Sequence, residues 1–211
     1  MAVPGARTRK NFNGDRTMAK LLEFARAELA RSGPIDFSLD TVLRESGVAR
    51  SSFYHHFGDR SSIIAICQVA ELKDSLRAEN EVLRLLIENS DSGAQLFELL
   101  ALRIRMNGDD EQVRRRRQRV EMFVLANGDQ QLRERLAEAQ ARGTEYLVET
   151  LEIARQRGLI DPVAPVNEIA QVMQSMFIGR VFVDVLEDDE QSRVVNEGTI
   201  TALRLLVRPA P

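Results

Sequence analysis

Apolar residues recur three or four positions apart along most of the 211-residue chain. No stretch alternates apolar and polar residues long enough to support a strand. Prolines stand at 4, 34, 162, 165, 209 and 211, so nothing between Ile35 and Asp161 breaks a helix. Glycines at 33, 47, 58, 93, 108, 128 and 158 fall mostly where an apolar periodic run stops, as helix C-caps do. The pattern predicts an all-α protein of about nine helices, over 16–31, 39–45, 50–56, 59–87, 93–106, 110–126, 130–157, 166–186 and 191–207. Asp129 suits a capping position and Pro165 a first turn.

The segment FSLDTVLRESGVARSSFYHHF, residues 37–57, holds two short helical patterns around a glycine. Ser38 can cap the first, which directs Val42 inward and Thr41 and Glu45 outward. Gly47 supplies the left-handed residue at which the chain reverses. Two short helices joined by such a turn make a helix-turn-helix unit. In the second helix Phe53 and Phe57, four apart, form one apolar stripe. Arg50, Ser51 and Ser52 stand at its start, the end that meets base edges in this motif. Arg offers guanine a bidentate donor, and Ser is a less selective partner. Tyr54, His55, His56 and Arg60 add donors in reach of DNA, the last two and Tyr54 towards phosphate. The bland alternative is a small helical domain with a glycine between two helices. A Tyr-His-His cluster beside serines also hints at nucleophilic catalysis, but no carboxylate is placed to orient a histidine and no glycine-rich elbow is present.

The run GVARSSFYHHFGDRSSI, residues 47–63, resembles the signature of TetR-family (tetracycline-repressor-like) transcriptional regulators, G-V-S-x-x-x-[LF]-Y-x-[HY]-F-x-[ST/N]-K. The flanking region 16–46 fits that family's first two helices, and the remaining residues match in length and helical layout. The resemblance implies that Arg50, Ser51, Ser52, Tyr54, His55 and His56 face an operator, with Ser38 nearby. Arg60 stands where the family usually has a phosphate-contacting Lys. Ala49 replaces the Ser that usually caps the recognition helix, and Leu43 replaces a usual Ala.

Charge and composition sharpen this division. Residues 1–60 carry ten Lys/Arg and seven Asp/Glu, a net +3, and the remainder 19 and 25, a net −6. A weakly basic head on an acidic body suits a polyanion. Arg7, Arg9, Lys10, Arg16 and Lys20 give residues 1–15 and their surroundings the look of a flexible basic arm, which follows a phosphate backbone or is an ordinary solvated tail. The longest uncharged stretch, 169–179, is far short of the ~18 residues a membrane span needs, and no apolar signal region opens the chain. The single Cys67 and two histidines argue against a disulfide or a structural metal. A cytoplasmic protein without cofactor or metal is expected, with no catalysis.

The predicted domains are thus an arm at 1–15, a helix-turn-helix domain at 16–62 with its motif at 38–57, and a helical effector-binding and dimerisation domain at 63–211. In 166–186 apolar residues occupy nearly the whole circumference, with Arg180 and Asp184 as the one clear polar strip. A helix so apolar is expected to bury a second face against another copy, through Val172, Met176, Gly179, Val183 and Leu186 with Val195, Gly198, Ala202 and Leu206 of the last helix. Burial within one subunit is the alternative. Two recognition helices related by a two-fold axis match half-sites about 34 Å apart, or a multiple of it. The resemblance further implies a ligand pocket whose occupancy moves the long fourth helix. Phe97, Leu102, Met106, Met122, Phe123, Met173, Met176 and Phe177 are candidates for its wall, each equally at home in a plain core.

Arg114–Arg117 sweeps most of a helix circumference. Arg117 falls within about 40° of the Val113, Val120 and Val124 stripe, and Arg116 lies between Val120 and Phe123. Arg114, Arg115 and Arg119 read as a solvated face paired with Asp110, Glu111 or similar. Arg116 and Arg117 are expected to make a buried ion pair with the head or fourth helix, or to anchor an anionic ligand. The whole reads as a ligand-responsive homodimer that binds double-stranded operator DNA, more often a repressor than an activator in such a family. A non-specific helical DNA-binding protein, and a small-molecule-binding protein with a vestigial helix-turn-helix, are the rivals.

Overall fold

The computed structural model describes residues 6–106 and 110–210, with side chains from Gly14 onward. Every regular element among them is a helix: α1 Ala6–Asp36, α2 Leu39–Ser46, α3 Arg50–Phe57, α4 Arg60–Glu88, α5 Gly93–Arg105, α6 Asp110–Ala126, α7 Gln130–Gln156, α8 Val166–Gly179, α9 Val181–Asp184 and α10 Asp189–Val207. The chain divides into two compact units, Met1–Glu71 and Leu72–Pro211. Among the described residues no helix is long and apolar enough to cross a membrane.

In the first unit the helical backbone already runs from Ala6, well ahead of the start at 16 that the Gly, Pro and Asn content predicts. The good helix formers Ala, Arg and Lys flanking those residues outweigh them. The side chains of Arg7, Arg9 and Lys10 lie outside the described residues. Gly33 interrupts α1 with φ 71° and ψ 174°, just ahead of Pro34. Leu21, Ala25, Val42, Phe53 and Ile63 are fully buried and knit α1 to α4 into one core. Burying an aromatic of this size contributes about 1.5–3 kcal/mol, so Phe53 and Phe57 seat α3 firmly.

The second unit has its own core, in which Ile87, Leu96, Phe97, Leu151, Ala154, Ile169 and Leu203 come together from five helices. Side-chain caps start three of them: Ser92 accepts from the Gln95 N–H at 3.2 Å, Asp129 from Leu132 at 3.0 Å, and Asp188 from Glu190 at 2.8 Å and Gln191 at 3.1 Å. After α7 the chain turns back along the carboxyl-terminal residues, with an antiparallel bridge between Ile160 and Pro209. Gly93 sits in this crossing. A Cβ there would lie 2.2 Å from the Leu159 carbonyl and 2.5 Å from the Ala210 nitrogen, backbone atoms that cannot yield.

The continuous helix predicted over 166–186 is divided at Arg180 into α8 and α9. Its polar strip is also inverted. Arg180 and Asp184 are buried, at 6% and 7% exposure, whereas Phe182, Val185 and Leu186 are 77%, 67% and 64% exposed. The cause is on other helices. Arg116 of α6 and Asn196 of α10 draw the two polar residues inward, which turns the apolar side of α9 out.

Candidate functional site

In the first unit, Ser38 begins α2 with extended backbone and its Oγ accepts the Thr41 N–H at 3.2 Å. Its own N–H donates to Glu28 Oε1 at 3.0 Å. Gly47 closes the helix with φ 64°, its N–H on the Leu43 carbonyl at 3.0 Å. Ser46 is fully buried, and its Oγ accepts the Val48 N–H in the turn at 3.3 Å. α3 follows from Ala49, which provides no side-chain cap.

The two faces of α3 differ sharply. Phe53 and Phe57 are buried, stacked with ring centroids 5.6 Å apart. Arg50, Ser51, Tyr54 and His55 are exposed, and Ser52 and His56 are half-buried. Arg50 pairs with Asp40 of α2, and a hydrogen bond with Tyr54, then the Asp40 charge, hold its guanidinium above the usual range. The exposed face therefore presents one guanidinium, a phenol, an imidazole and a hydroxyl, all hydrogen-bonding groups set on a rigid helix. Groups of these kinds are the ones that hydrogen-bond base edges and phosphates where a helix meets DNA.

Arg60 has a different place from the one its sequence position implies. Its Nε donates to the Phe37 carbonyl at 3.0 Å, and its Nη2 to those of Pro34 and Ile35 at 2.9 Å each. The guanidinium also lies over the Phe37 ring, 5.6 Å from its centroid. It fastens the turn between α1 and α2 rather than reaching outward. Glu28 fastens the same turn from inside, receiving Ser38, Arg31 and Ser32. Burial opposes its charge, but those hydrogen bonds prevail and its carboxyl titrates below the ordinary glutamate range.

The second unit encloses a cavity of about 160 Å³. Of the residues expected in its wall, Phe97, Met173 and Phe177 line it. Leu102 of α5 and Met106 at its end are instead exposed, Met122 is buried elsewhere, and Phe123 and Met176 are half-buried outside the lining. Arg116, offered from the sequence as a possible anchor for an anionic ligand, also lines it, whereas sequence reasoning missed the rest of the polar lining: Glu79, Asn80, Arg103, Gln112, Arg119 and Gln174. Gln112, Arg116 and Arg119 follow i, i+4, i+7 spacing on α6, a signal that was available but reads as a solvated stripe.

Arg116 makes the buried ion pair expected of the arginine run, but with Asp184 of α9, not with the head or the fourth helix. Arg117 is 44% exposed; its Nη2 donates to the Asp184 carbonyl at 2.7 Å and lies 3.6 Å from Glu187. Arg115 pairs with Glu111 one turn away. Arg119 leaves the solvated face assigned to it and lines the cavity.

Of the residues expected at a two-fold interface, Val172 and Leu186 are exposed, Gly198 is exposed, and Met176, Gly179, Val195 and Ala202 are half-buried. Val183 is buried within the chain and Leu206 packs on its core, so neither presents a free side chain. Phe182, Val194 and Leu205 are exposed in their stead.

Residues 21–65 match the model of the bacterial regulatory proteins of the tetR family. Among solved structures, the chain is similar to a protein of Mesorhizobium loti described as a TetR-family transcriptional regulator, with TM-score 0.64 and 18% identity over 90% of this chain and 96% of that one. A TetR-family transcriptional regulator of Pectobacterium atrosepticum gives TM-score 0.59 and 19% identity over 93% and 97%. The reduced form of NemR from Escherichia coli gives TM-score 0.59 and 17% identity over 92% and 98%. At these identities the likeness is one of fold. No curated protein matches the sequence.

Proposed function

From the match of residues 21–65 to the tetR-family model and the shared fold, we propose that the chain is a regulator of that family, a homodimeric repressor acting in the cytoplasm on a pseudo-palindromic operator and released by a small-molecule effector. The observation that carries this reading is the division of α3. Phe53 and Phe57 anchor it in the core, while Arg50, Ser51, Tyr54 and His55 stand exposed together. Dimerisation is supported by the apolar surface of α8 to α10, where Val172, Phe182, Leu186, Val194 and Leu205 are exposed. Large apolar side chains grouped in this way mark an interaction surface. A second copy related by a two-fold axis covers them and sets two α3 helices for two half-sites.

The test is a fluorescence-anisotropy titration in about 150 mM salt, a concentration at which non-specific phosphate binding is weak. A duplex from the region upstream of the protein's own gene is compared with a scrambled duplex. The expected result is a marked preference for the native duplex, lost in Arg50→Ala/Tyr54→Ala. Equal weak binding to both, followed by a random-site selection that enriches no sequence, overturns the reading. In sedimentation, the protein is expected as a dimer and Phe182→Glu as a monomer.

A further inference from the structure

The cavity of the second unit changes chemistry from one end to the other. Along α4 its lining passes from Ile87 and Leu83 to Asn80 and Glu79, with Leu76 beyond them, and along α5 from Leu96 and Leu100 to Arg103 and Ile104. Ile87, Leu96 and Leu151 share one core, which fixes the apolar end, and Arg116 and Arg119 on α6 supply cations to the other. Three arginines thus line the cavity against one carboxylate, Glu79.

The arginines are not equivalent. Arg116 is committed to Asp184 in a two-pronged pair. Arg103 and Arg119 have no ion pair or hydrogen bond among the described residues, although both are half-buried. Burial holds the Arg119 guanidinium below its usual range, with the Glu79 charge opposing this only in part. Asn80 adds a buried side-chain oxygen without a hydrogen-bond partner among the described residues. A partly desolvated guanidinium that a nearby carboxylate offsets only in part is a costly arrangement that a bound anion relieves.

We infer that this cavity takes an amphipathic organic anion, a carboxylate whose head pairs with Arg103 and Arg119 and whose apolar body lies towards Ile87, Leu96 and Leu151. The inference rests on reading the second unit as an effector domain. A cavity of this volume is close to one that holds a benzene-sized molecule, so the apolar body has about six to eight carbons. Glu79 disfavours a second negative charge and selects against dianions.

The test is isothermal titration of the full chain, without DNA, with sodium octanoate, 1-octanol and octylammonium chloride. Octanoate is expected to bind at least tenfold more tightly than either of the others. Arg119→Gln and Arg103→Gln are expected to weaken octanoate at least tenfold and leave octanol unchanged, and Arg119→Lys to restore part of the loss. Circular dichroism checks that each variant is folded. Preference for octylammonium, equal binding of octanol, no octanoate binding, or octanoate affinity untouched by Arg119→Gln and Arg103→Gln overturns the inference. The anisotropy experiment is scored separately. Operator binding without octanoate binding defeats this inference alone, and octanoate binding without operator binding defeats only the regulatory reading.

Discussion

Arg116 and Asp184 meet through two parallel hydrogen bonds, Nε to Oδ2 at 2.6 Å and Nη2 to Oδ1 at 2.9 Å, between two helices distant in sequence. Their side chains are 9% and 2% exposed. Arg180 shares the same carboxylate, its Nε 3.8 Å from Oδ1, and donates to Asn196. Two buried guanidiniums therefore depend on one carboxylate. Burial and the neighbouring Arg116 hold Arg180 below its usual range, and Asp184 opposes them.

Removing that carboxylate is expected to be severe. Asp184→Leu leaves two buried cations uncompensated, and breaking such a pair costs about 3–5 kcal/mol. Arg116→Met/Asp184→Leu leaves only one, so the double variant is expected to be more stable than the single one in urea denaturation. A double variant equal to or worse than Asp184→Leu would show that the pair is not what holds α9 to α6.

The missing cap of α3 is a site for gain. Ala49 has φ −63° and ψ 140°, the extended geometry of a capping residue, and is exposed. A Ser there accepts the Ser52 N–H, which otherwise reaches only the Ala49 carbonyl at 3.0 Å. Ala49→Ser is expected to stabilise the first unit by about 1 kcal/mol. For a unit of this size that raises the melting temperature by about 4–8 °C. An unchanged melting curve would mean that the start of α3 gains nothing from a side-chain acceptor.

Much of the fold was legible because its punctuation is local. Ser38, Gly47 and Asp129 each act on backbone groups within three or four residues, and the helices between them follow the predicted spans closely. The buried face of α3 was legible for the same reason, since Phe53 and Phe57 stand one turn apart. What failed was long-range. Arg180 and Asp184 look like a solvated strip until Arg116, 68 residues before Asp184, is brought beside them. Arg60 carries no local sign that three carbonyls from 34–37 will surround it. The polar end of the cavity was missed because charged residues on an amphipathic helix read as surface, and Arg103 and Arg119 declare themselves only when α4 and α7 close over them.

Cys67 is buried in the first unit, and burial pushes its thiol up to about 11, with Arg26 opposing and Glu71 adding to the rise. At pH 8 only about one molecule in a thousand then carries the reactive thiolate. Ellman's reagent is expected to leave the folded protein nearly unmodified over a period in which guanidinium-unfolded protein reacts completely. Reaction of the folded protein at the rate of a small free thiol would show that Cys67 is accessible and ionisable.

Glu28 gives the first unit an acid sensitivity whose sign is fixed by its surroundings. Its carboxyl titrates below 4.5 in the fold, because the Ser38 N–H, Arg31 and Ser32 outweigh the opposing effect of burial. Arg31 is 60% exposed and such pairs are weak, so the Ser38 hydrogen bond at 3.0 Å dominates. The unfolded chain binds the proton more readily, so the stabilisation is complete above the ordinary glutamate pKa and is lost as pH falls through the lower, folded value. Glu28→Gln is expected to cost about 1–3 kcal/mol at pH 7, the range for weakening a buried hydrogen bond to a charged group. Thermal melts of both proteins from pH 7 to pH 3 check this. The gap in melting temperature is expected to hold down to about pH 5 and to narrow below 4.5. A gap that persists undiminished at pH 3 would assign the cost to shape rather than to the ionised carboxylate.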